Sequence, residues 1–222
     1  MPYRDATKRL WALANQEDVR NYVRGETITT TDDLNYMWFV KKGFVKRFHI
    51  LNNGNISVQG FSAQGDAFPL TYIYQVLFDR KLYRGPDTYY YEAMSQTTLV
   101  RISGKRLKAE VKKDPSLYRD LLAIAGNRFT SDIQLLENRG LPDAHMQVAH
   151  QLYHYAKRFG KVHGGGISIQ LPLTQQDLAD ILGLARETVS TTINNLKNDG
   201  LLKKSRKLVV ADLKGLEAIA YF

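Results

Sequence analysis

The 222-residue sequence contains no cysteine. Disulfides, thiolate-held iron–sulfur clusters, cysteine-ligated haem and thiol redox switching are therefore excluded in this chain. The sequence has no apolar run approaching the roughly 20 residues of a membrane-spanning helix. Its N-terminus, MPYRDATKRLW, lacks the apolar core of a secretory signal. We therefore expect a cytoplasmic protein with no membrane partner.

Acidic residues are outnumbered, 22 against 31 Lys and Arg, which gives a net charge of +9. This excess favours a polyanionic partner but does not identify one. From Leu141 onward there are ten Lys and Arg against seven Asp and Glu, so most of the excess lies in the first 140 residues. Local clusters, at 157–161 and 203–207, are therefore more informative than the total.

The segment from Leu173 to Leu202 predicts two short helices joined by a tight turn. Thr174 and Asp177 can cap the first helix together, and Gly183 can end it in a left-handed conformation. The second helix has one apolar face, formed by Val189, Ile193 and Leu196. Its opposite face carries side chains that can hydrogen-bond to a base edge or a phosphate: Arg186, Glu187, Ser190, Thr191 and Asn194. This pattern is typical of a DNA-binding helix-turn-helix.

A basic hairpin is predicted directly after the second helix. Gly200 ends that helix, and residues 201–211 are expected to form two short strands around a cluster of cations: Lys203, Lys204, Arg206 and Lys207. Such a hairpin resembles the wing of a winged helix-turn-helix, where it would meet the phosphate backbone. The alternative is a surface hairpin whose lysines serve solubility alone.

Residues 22–103 show short apolar alternations broken by turn residues, the pattern of an antiparallel β domain. Strands are predicted at 27–31, 37–40, 44–51, 56–61, 88–94 and 97–102. The strongest hairpin signal is Asn52-Asn53-Gly54-Asn55. Several short strands at regular spacing indicate a jelly roll or small barrel. A short helix or lead-in is expected over residues 1–18.

Aromatic and basic residues are concentrated between these strands, in the 69–84 segment, and a run of three tyrosines follows at 89–91. This is where we expect the wall of any small-molecule pocket, with five candidates: Tyr72, Tyr74, Arg80, Arg84 and Tyr90. The other interpretation is that these rings fill the β-roll core. A mixture of both is expected, since tyrosine is amphipathic.

A short basic helix is predicted at 104–113, and Asp114-Pro115 opens a long one. Apolar residues of the long helix recur at a roughly 4-3 spacing: Tyr118, Leu122, Ala125, Phe129 and Leu136. A second apolar strip contains Leu121, Ile124 and Ile133. A helix that is apolar on two sides can pack on its own domain and on a twin helix, so we interpret it as a dimerisation helix. A single wide core face is the alternative.

The long helix is expected to break at residues 138–142, which is the best domain boundary. We therefore divide the chain into a β-roll sensor domain (1–113), a dimerisation helix and hinge (114–140) and a DNA-binding domain (141–222). Asp143 can cap a further helix that runs to about Phe159. Residues 160–166 are expected to be a flexible loop, and residues 167–171 a short strand.

In the order of these parts the chain resembles the Crp/Fnr family of bacterial transcription regulators, over about residues 22–216. The most specific match is Leu182-Gly-Leu-Ala-Arg-Glu-Thr-Val-Ser190, which is close to that family's recognition-helix signature; Met37–Lys46 and Gly65–Phe68 match more loosely. The resemblance implies an α+β fold, with an N-terminal antiparallel β-roll, a long dimerisation helix and a C-terminal winged helix-turn-helix. It also implies a homodimer that binds a palindromic site on double-stranded DNA, with RNA polymerase as a partner if the protein is an activator.

The resemblance places Arg186, Glu187 and Ser190 at base-contacting positions. Arginine pairs with guanine and glutamate accepts from cytosine. Thr191 stands where the family usually has a second arginine, so we expect a half-site with fewer obligatory guanines. Ala185 stands where a Ser or Thr usually caps the recognition helix. Contacts to the DNA backbone are expected from Thr174, Gln175, Asn194, Lys197, Lys203, Lys204, Arg206 and Lys207.

The sensor half departs from the cyclic-nucleotide-binding members, which carry a Gly-Glu phosphate cassette followed by an Arg-Ser/Thr-Ala segment. The corresponding stretch here, Gly65–Leu70, has neither the glutamate nor that arginine after it. A cyclic phosphate needs such an arginine and backbone N–H groups. We therefore expect neither cyclic AMP nor cyclic GMP as the effector, which stays unidentified. A regulator without an effector is the alternative.

An enzyme is the main rival class, because β-rolls also host cupin-like metal-dependent oxygenases. Their sites need two or three histidines plus a carboxylate, and the β part of this chain contains only His49. His150 and His154 lie one helical turn apart and could bind a metal. In a helix that supports a DNA-binding domain a solvated or core histidine is more usual, so we expect no metal, cofactor or catalysis. A scaffold or protein-binding module would leave the face around Arg186 unexplained.

Overall fold

The computed structural model describes residues 2–14, 18–28, 36–70, 77 and 89–221, with side chains from Lys8 onward. It divides into two compact units, Met1–Ser131 and Asp132–Phe222. The three-part division predicted from the sequence stays a prediction. None of the helices in the described residues is both long enough and apolar enough to span a membrane.

The first unit begins with helix α1 (Pro2–Leu13) and continues with the strands of the roll. These are β1 (Val19–Tyr22), β2 (Thr27–Ile28), β3 (Tyr36–Lys42), β4 (Phe44–Ile50), β5 (Ile56–Ala63), β6 (Ala67–Phe68), β7 (Tyr90–Ala93) and β8 (Thr97–Ser103). They form two antiparallel four-stranded sheets, with strand orders β1-β8-β3-β6 and β2-β7-β4-β5. The predicted antiparallel roll is therefore confirmed, although β1, which pairs with β8, and β6, which pairs with β3, were not predicted. The predicted strand at 27–31 extends beyond the described residues.

Strand β3 lies between the two hydrophobic core clusters of the first unit. Its side chains alternate in direction, as in any strand, but both of its faces are covered. Met37 and Phe39 belong to a core cluster shared with the helices of this unit. Trp38 and Val40 belong to a second cluster that includes Val45 and other residues of the second sheet. Burial on both faces gives the apolar run its stability, since each buried side chain contributes about 1.5–3 kcal/mol.

Two helices follow the roll at the predicted positions. Helix α2 (Gly104–Lys113) is capped by the Ser103 hydroxyl, which accepts from the Arg106 N–H. Helix α3 (Leu117–Arg139) is the predicted long helix. The start of α3 is tied to α1 through Arg9, which forms ion pairs with Asp114 at 2.9 Å and with Asp120 at 3.2 Å.

The second unit contains the end of α3, then α4 (Ala144–Phe159), β9 (Gly160–His163), β10 (Gly166–Ile169), α5 (Gln175–Leu182), α6 (Arg186–Asn198), β11 (Val209–Val210) and α7 (Leu213–Tyr221). The Asp143 carboxylate caps α4 as predicted, accepting from the Met146 N–H at 2.8 Å. Helix α7 was not predicted.

The prediction of a flexible loop at residues 160–166 is wrong. The first four of these residues form β9, which pairs in antiparallel register with β10. Only Gly164 and Gly165 form the turn, and both have positive φ. The run of glycines marks a hairpin turn here, because glycine adopts these backbone angles without steric strain. The resulting sheet has the strand order β11-β10-β9.

Candidate nucleic-acid interface

Helices α5 and α6 form the predicted helix-turn-helix. The Thr174 hydroxyl accepts from the Asp177 N–H, and the Asp177 carboxylate accepts from the Thr174 N–H, both at 3.0 Å. This reciprocal pair fixes the start of α5 as predicted. Gly183 ends α5 in the left-handed conformation, with φ of +71°, which other residues adopt only at a steric cost.

Helix α6 turns a polar face outward because its apolar face is fully buried. Val189, Ile193 and Leu196 are buried as predicted, together with Thr192. The Thr192 hydroxyl donates to the Thr188 carbonyl at 2.8 Å, so its polar group is satisfied within the helix. On the other side lie the residues predicted to touch DNA: Arg186, Glu187, Thr191 and Asn194 are exposed, and Ser190 and Lys197 are partly exposed.

The first turn of α6 has no side-chain cap. Ala185 occupies the capping position with φ of −69° and ψ of 144°, and no side chain accepts a hydrogen bond there. The absence of a cap follows from the alanine that the sequence has at this position. Amide groups at the start of a helix carry a partial positive charge and can bind an anion.

Two residues at the start of α5 that were predicted to contact the DNA backbone differ in exposure. Thr174 is exposed and Gln175 is partly exposed. The Thr174 hydroxyl also donates to the Asp177 carboxylate at 2.6 Å. Its proton is therefore already used within the cap, and a phosphate contact from this residue stays a prediction.

The basic hairpin after α6 is present, but with less regular strand structure than predicted. Val209 and Val210 form β11, which pairs with β10. The other arm is joined by a single bridge between Leu202 and Val210 and by the Lys203 N–H, which donates to the Val209 carbonyl at 2.9 Å. Lys204, Arg206 and Lys207 are exposed at its tip. The Lys203 ammonium donates to the Gly164 carbonyl of the β9–β10 turn, so this cation also anchors the hairpin.

The predicted dimerisation strip of α3 lies open to solvent. The largest exposed fractions are 72% for Leu122, 66% for Phe129 and 66% for Leu136, and Tyr118 and Ala125 are also exposed. In the second predicted strip, Leu121 and Ile124 are buried in the core of the first unit, whereas the third residue, Ile133, is 37% exposed. Helix α3 therefore has the two apolar sides predicted for it, one covered and one bare.

Most of the predicted effector-pocket residues lie outside the described residues: Tyr72, Tyr74, Arg80 and Arg84. Tyr90 is described, and its ring stacks on that of Phe48 with the centroids 5.6 Å apart. It is 37% exposed on the roll. Whether these five residues form a pocket therefore stays a prediction.

A polar cluster that the sequence did not reveal connects the roll with α3. The ladder between β4 and β5 shifts register after Arg47, opposite Gly60. At this irregularity the Gln59 carbonyl accepts from two guanidinium groups, that of Arg128 at 2.7 Å and that of Arg47 at 3.1 Å. Gly60 has a φ of +134°, which residues with a side chain rarely adopt, and a Cβ there would also lie 3.1 Å from the Arg128 guanidinium.

Tyr91 is the buried neighbour of this cluster. Burial raises the pKa of its phenol to about 12, although the charges of Arg47 and Arg128 act in the opposite direction. A phenol in this environment stays protonated at neutral pH. No local sequence pattern could place Arg47 and Arg128 together, because they come from a strand and a helix far apart in the chain.

Comparison with known proteins supports the assignment of the C-terminal half. Residues 147–219 match the family model described as the Crp-like helix-turn-helix domain. The nitrogen fixation regulation protein FixK of Rhizobium meliloti is 31% identical over 186 residues, which are 83% of this chain and 77% of that protein. The transcriptional activator protein FnrA of Stutzerimonas stutzeri is 26% identical over 203 residues, 89% of this chain and 78% of that protein.

Solved structures share the whole fold. FixK2 from Bradyrhizobium japonicum superposes with a TM-score of 0.74 at 24% identity, covering 92% of this chain and 97% of that one. A CooA mutant from Carboxydothermus hydrogenoformans has a TM-score of 0.71 at 20% identity, covering 96% and 90%. The relatives are transcription regulators rather than enzymes. The roll, the long helix, the helix-turn-helix and these relatives together show that the chain belongs to the Crp/Fnr family of DNA-binding transcription regulators.

Proposed function

We propose that two copies of the chain form a homodimer that reads an imperfect palindrome. Each copy inserts the polar face of α6 into a major groove, and the two grooves are about 34 Å apart along one face of the DNA. The observation that carries this proposal is the exposure of Arg186, Glu187, Thr191 and Asn194 on a helix whose other side is buried. A face of this composition has no packing role within the second unit and matches the chemistry of base edges.

Arg186 and Glu187 supply the direct readout in this proposal. An arginine at the groove floor donates two hydrogen bonds to guanine, and a glutamate accepts from the amino group of cytosine. Thr191 has a single hydroxyl and a methyl group, so it cannot form the forked contact of a second arginine. Each missing forked contact removes about 1–3 kcal/mol of discrimination. The proposed half-site therefore contains fewer fixed G·C pairs.

In this proposal the phosphate contacts are made by the hairpin after α6 and by the later turns of α6. Lys204, Arg206 and Lys207 are exposed at the tip of the hairpin after α6. Asn194 and Lys197 lie further along α6 itself. Cations that neutralise phosphates displace bound counterions, which makes the affinity dependent on salt whatever the base sequence.

The bare strip of α3 supports the pairing of two copies. Leu122, Phe129 and Leu136 lie at helical spacings of seven residues and are each about two-thirds exposed or more. An exposed apolar strip of this kind marks an interaction surface. The seven-residue spacing is that of helices which pair along their length. A second α3 is the partner that offers the same strip in return.

The roll is the proposed site of an input signal, with an effector that is not identified. Arg128 of α3 donates to the Gln59 carbonyl at the strand irregularity next to Arg47. A change in the roll at this point would therefore act on the long helix through this contact. A shift of α3 in a dimer would change the relative orientation of the two recognition helices. We place the protein in the cytoplasm, with RNA polymerase as a partner if it activates transcription.

The test is a selection of bound duplexes from random DNA, run with the full chain in the presence and absence of cell metabolites. We expect enrichment of a two-fold symmetric site at moderate salt. A dependence on metabolites would support a sensing role, whereas the same site under both conditions would favour an effector-independent regulator. Binding without any sequence preference would overturn the proposal.

The double variant Leu122→Glu and Phe129→Glu tests the pairing separately. Two carboxylates on the bare strip should convert the dimer to a monomer in sedimentation experiments and abolish binding to the palindrome. The matched control is Lys112→Glu with Lys113→Glu, two exposed positions on α2, which should leave the mass unchanged. A dimer that survives the α3 changes would place the interface elsewhere.

A further inference from the structure

His150 and His154 bring their imidazole rings together on one side of α4. Their Nε2 atoms lie 3.2 Å apart, and the ring centroids are 4.4 Å apart. The phenol oxygen of Tyr221, from α7, lies 2.9 Å from Nε2 of His154. Three donor atoms from two helices thus converge on one place within the second unit. His150 is 2% exposed, whereas Tyr221 is 49% exposed.

Two imidazole nitrogens at this separation either share a proton or bind the same cation. Two nitrogens bound tetrahedrally to Zn²⁺ at 2.0–2.1 Å are about 3.3 Å apart. The observed separation of the two nitrogens is therefore close to that of two ligands of one ion. We propose that His150 and His154 chelate a divalent transition metal ion of the Zn²⁺, Ni²⁺ or Cu²⁺ class, with the Tyr221 oxygen and water as further ligands.

The choice of metal class follows from the donors. Imidazole suits zinc, copper and nickel, whereas magnesium and calcium prefer oxygen ligands. Among the described residues, no group of three or more His, Cys, Asp or Glu side chains could hold a metal. The site is therefore a two-histidine chelate with an oxygen nearby, and we expect weaker binding than at a structural zinc site with four protein ligands.

Asn138 determines the protonation pattern of the pair. Its side-chain N–H₂ group lies 2.8 Å from the Gln147 carbonyl and 3.0 Å from Nδ1 of His150. Because an amide nitrogen only donates, Nδ1 of His150 must accept, and the ring proton lies on Nε2. Without metal, that proton points toward Nε2 of His154. The two rings then share one hydrogen bond.

Metal binding at Nε2 of His150 requires its proton to move to Nδ1. The Asn138 carbonyl oxygen is buried and has no hydrogen-bond partner. A half-turn of the amide would let this oxygen accept the Nδ1 proton, as carbonyl groups commonly do behind metal-bound histidines. The same turn breaks the Asn138–Gln147 hydrogen bond. Part of the binding free energy is therefore spent on this rearrangement, which also limits the affinity.

Neutral imidazole is the form that binds metals. A bound ion would link α4 to the C-terminal helix α7 and, through Asn138, to the end of α3. None of its ligands belongs to the exposed face of α6.

The test is calorimetric titration of the chelator-treated full chain with Zn²⁺ and with Ni²⁺, followed by thermal unfolding with and without each ion. We expect one ion per chain and a higher unfolding temperature, because a ligand that binds only the folded state stabilises it. His154→Gln should weaken binding by about tenfold or more. His145→Gln and His163→Gln are matched controls at the two other histidines of this unit and should leave binding unchanged.

Tyr221→Phe provides a second variant, at a position that is 49% exposed. It should weaken binding less than His154→Gln, while both variants keep wild-type operator affinity. Failure to bind one ion per chain would overturn the proposal. Equal binding by the wild type and His154→Gln would also overturn it, by showing chance surface binding. If His154→Gln does not fold, the decision rests on Tyr221→Phe and on Zn²⁺-induced shifts of the His150 ring signals in the wild type, whose absence would overturn the proposal.

Discussion

The guanidinium group of Arg139, in the last turn of α3, donates to the main-chain carbonyl of Ile181 at 3.3 Å. Ile181 lies in the last turn of α5, where carbonyl groups have no partner within the helix. Arg139 therefore supplies a missing hydrogen bond and a favourable charge at that helix end. Because α5 supports α6, the contact links the end of the long helix to the DNA-reading element inside the second unit.

Replacing Arg139 by alanine should loosen this link. We expect the free energy of unfolding to fall by about 0.5–1.5 kcal/mol, the usual net contribution of one hydrogen bond. Operator affinity should fall as well, since the end of α5 is no longer fixed next to the turn. Denaturant unfolding and operator titration measure the two effects. Arg139→Lys keeps the charge, so its stability and operator affinity should lie between those of the wild type and of Arg139→Ala. Wild-type stability and affinity in Arg139→Ala would show that Arg139 does not link the two helices.

Arg186→Ala should change which DNA is bound. Loss of a forked contact to guanine weakens operator binding by about 1–3 kcal/mol and relaxes one G·C position. A binding-site selection with the variant, compared with the wild type, shows the relaxed position directly. Arg206→Ala is the matched control, because a phosphate contact carries no base preference. An unchanged base preference after Arg186→Ala would show that this residue does not read a base pair.

Removing charge from the hairpin should act on all DNA alike. Lys204→Gln, Arg206→Gln and Lys207→Gln together should lower affinity for operator and random duplex, and flatten the salt dependence by about one unit of slope for each lost phosphate contact. Lys203 is left in place because its ammonium also holds the Gly164 carbonyl. Titrations at several salt concentrations measure the slope. A loss confined to the operator would mean that the hairpin reads sequence.

The helix-turn-helix could be predicted in detail because its signals are local. The Thr174–Asp177 cap, the Gly183 turn and the apolar spacing of α6 each involve residues within about one turn of one another. The bare and buried sides of α3 were predictable for the same reason, since both follow from helical periodicity. Local patterns of this kind need no knowledge of the rest of the fold.

The remaining features depend on contacts between distant parts of the chain. Residues 160–163 became a strand because β10 lies beside them, while the neighbouring glycines favoured a loop. Helix α7 is an exception, because Asp212 caps it locally, accepting from the Gly215 N–H at 3.0 Å. Arg47 and Arg128 both donate to the Gln59 carbonyl at a strand irregularity, and no spacing in the sequence predicts that irregularity. The convergence of Tyr221 on His154 also needed the position of α7.

Tyr91 should make the stability of the chain sensitive to alkaline pH. Burial raises the pKa of its phenol to about 12 in the folded state, against about 10 when unfolded. Between these values the folded chain holds a proton that the unfolded chain has lost. The contribution is fully present below pH 10 and is lost as the pH rises toward 12, about 2–3 kcal/mol in total.

Tyr91→Phe removes this pH dependence, because phenylalanine has no proton to lose. The unfolding free energy of the wild type, measured from pH 9 to pH 11, should fall relative to that of the variant as the pH rises. The other tyrosines titrate in both proteins and cancel in the difference. Two curves that stay parallel would show that the Tyr91 phenol is not held in its neutral form by burial.

Ala185→Ser tests whether the first turn of the recognition helix lacks only a cap. The backbone at Ala185 already has the extended conformation of a capping residue, so a serine can accept from the N–H groups of that turn without moving the chain. We expect unfolding to require about 0.5–2 kcal/mol more free energy. Ala185→Val, which adds no acceptor and is as poor an N-cap as alanine, is the control. Since a DNA phosphate can take the same N–H groups, the serine should raise stability more than it raises operator affinity. If the free energy of operator binding improves by as much as the free energy of unfolding, these N–H groups do not contact a phosphate. The gain in affinity would then come from a first helical turn that is already ordered before DNA binds.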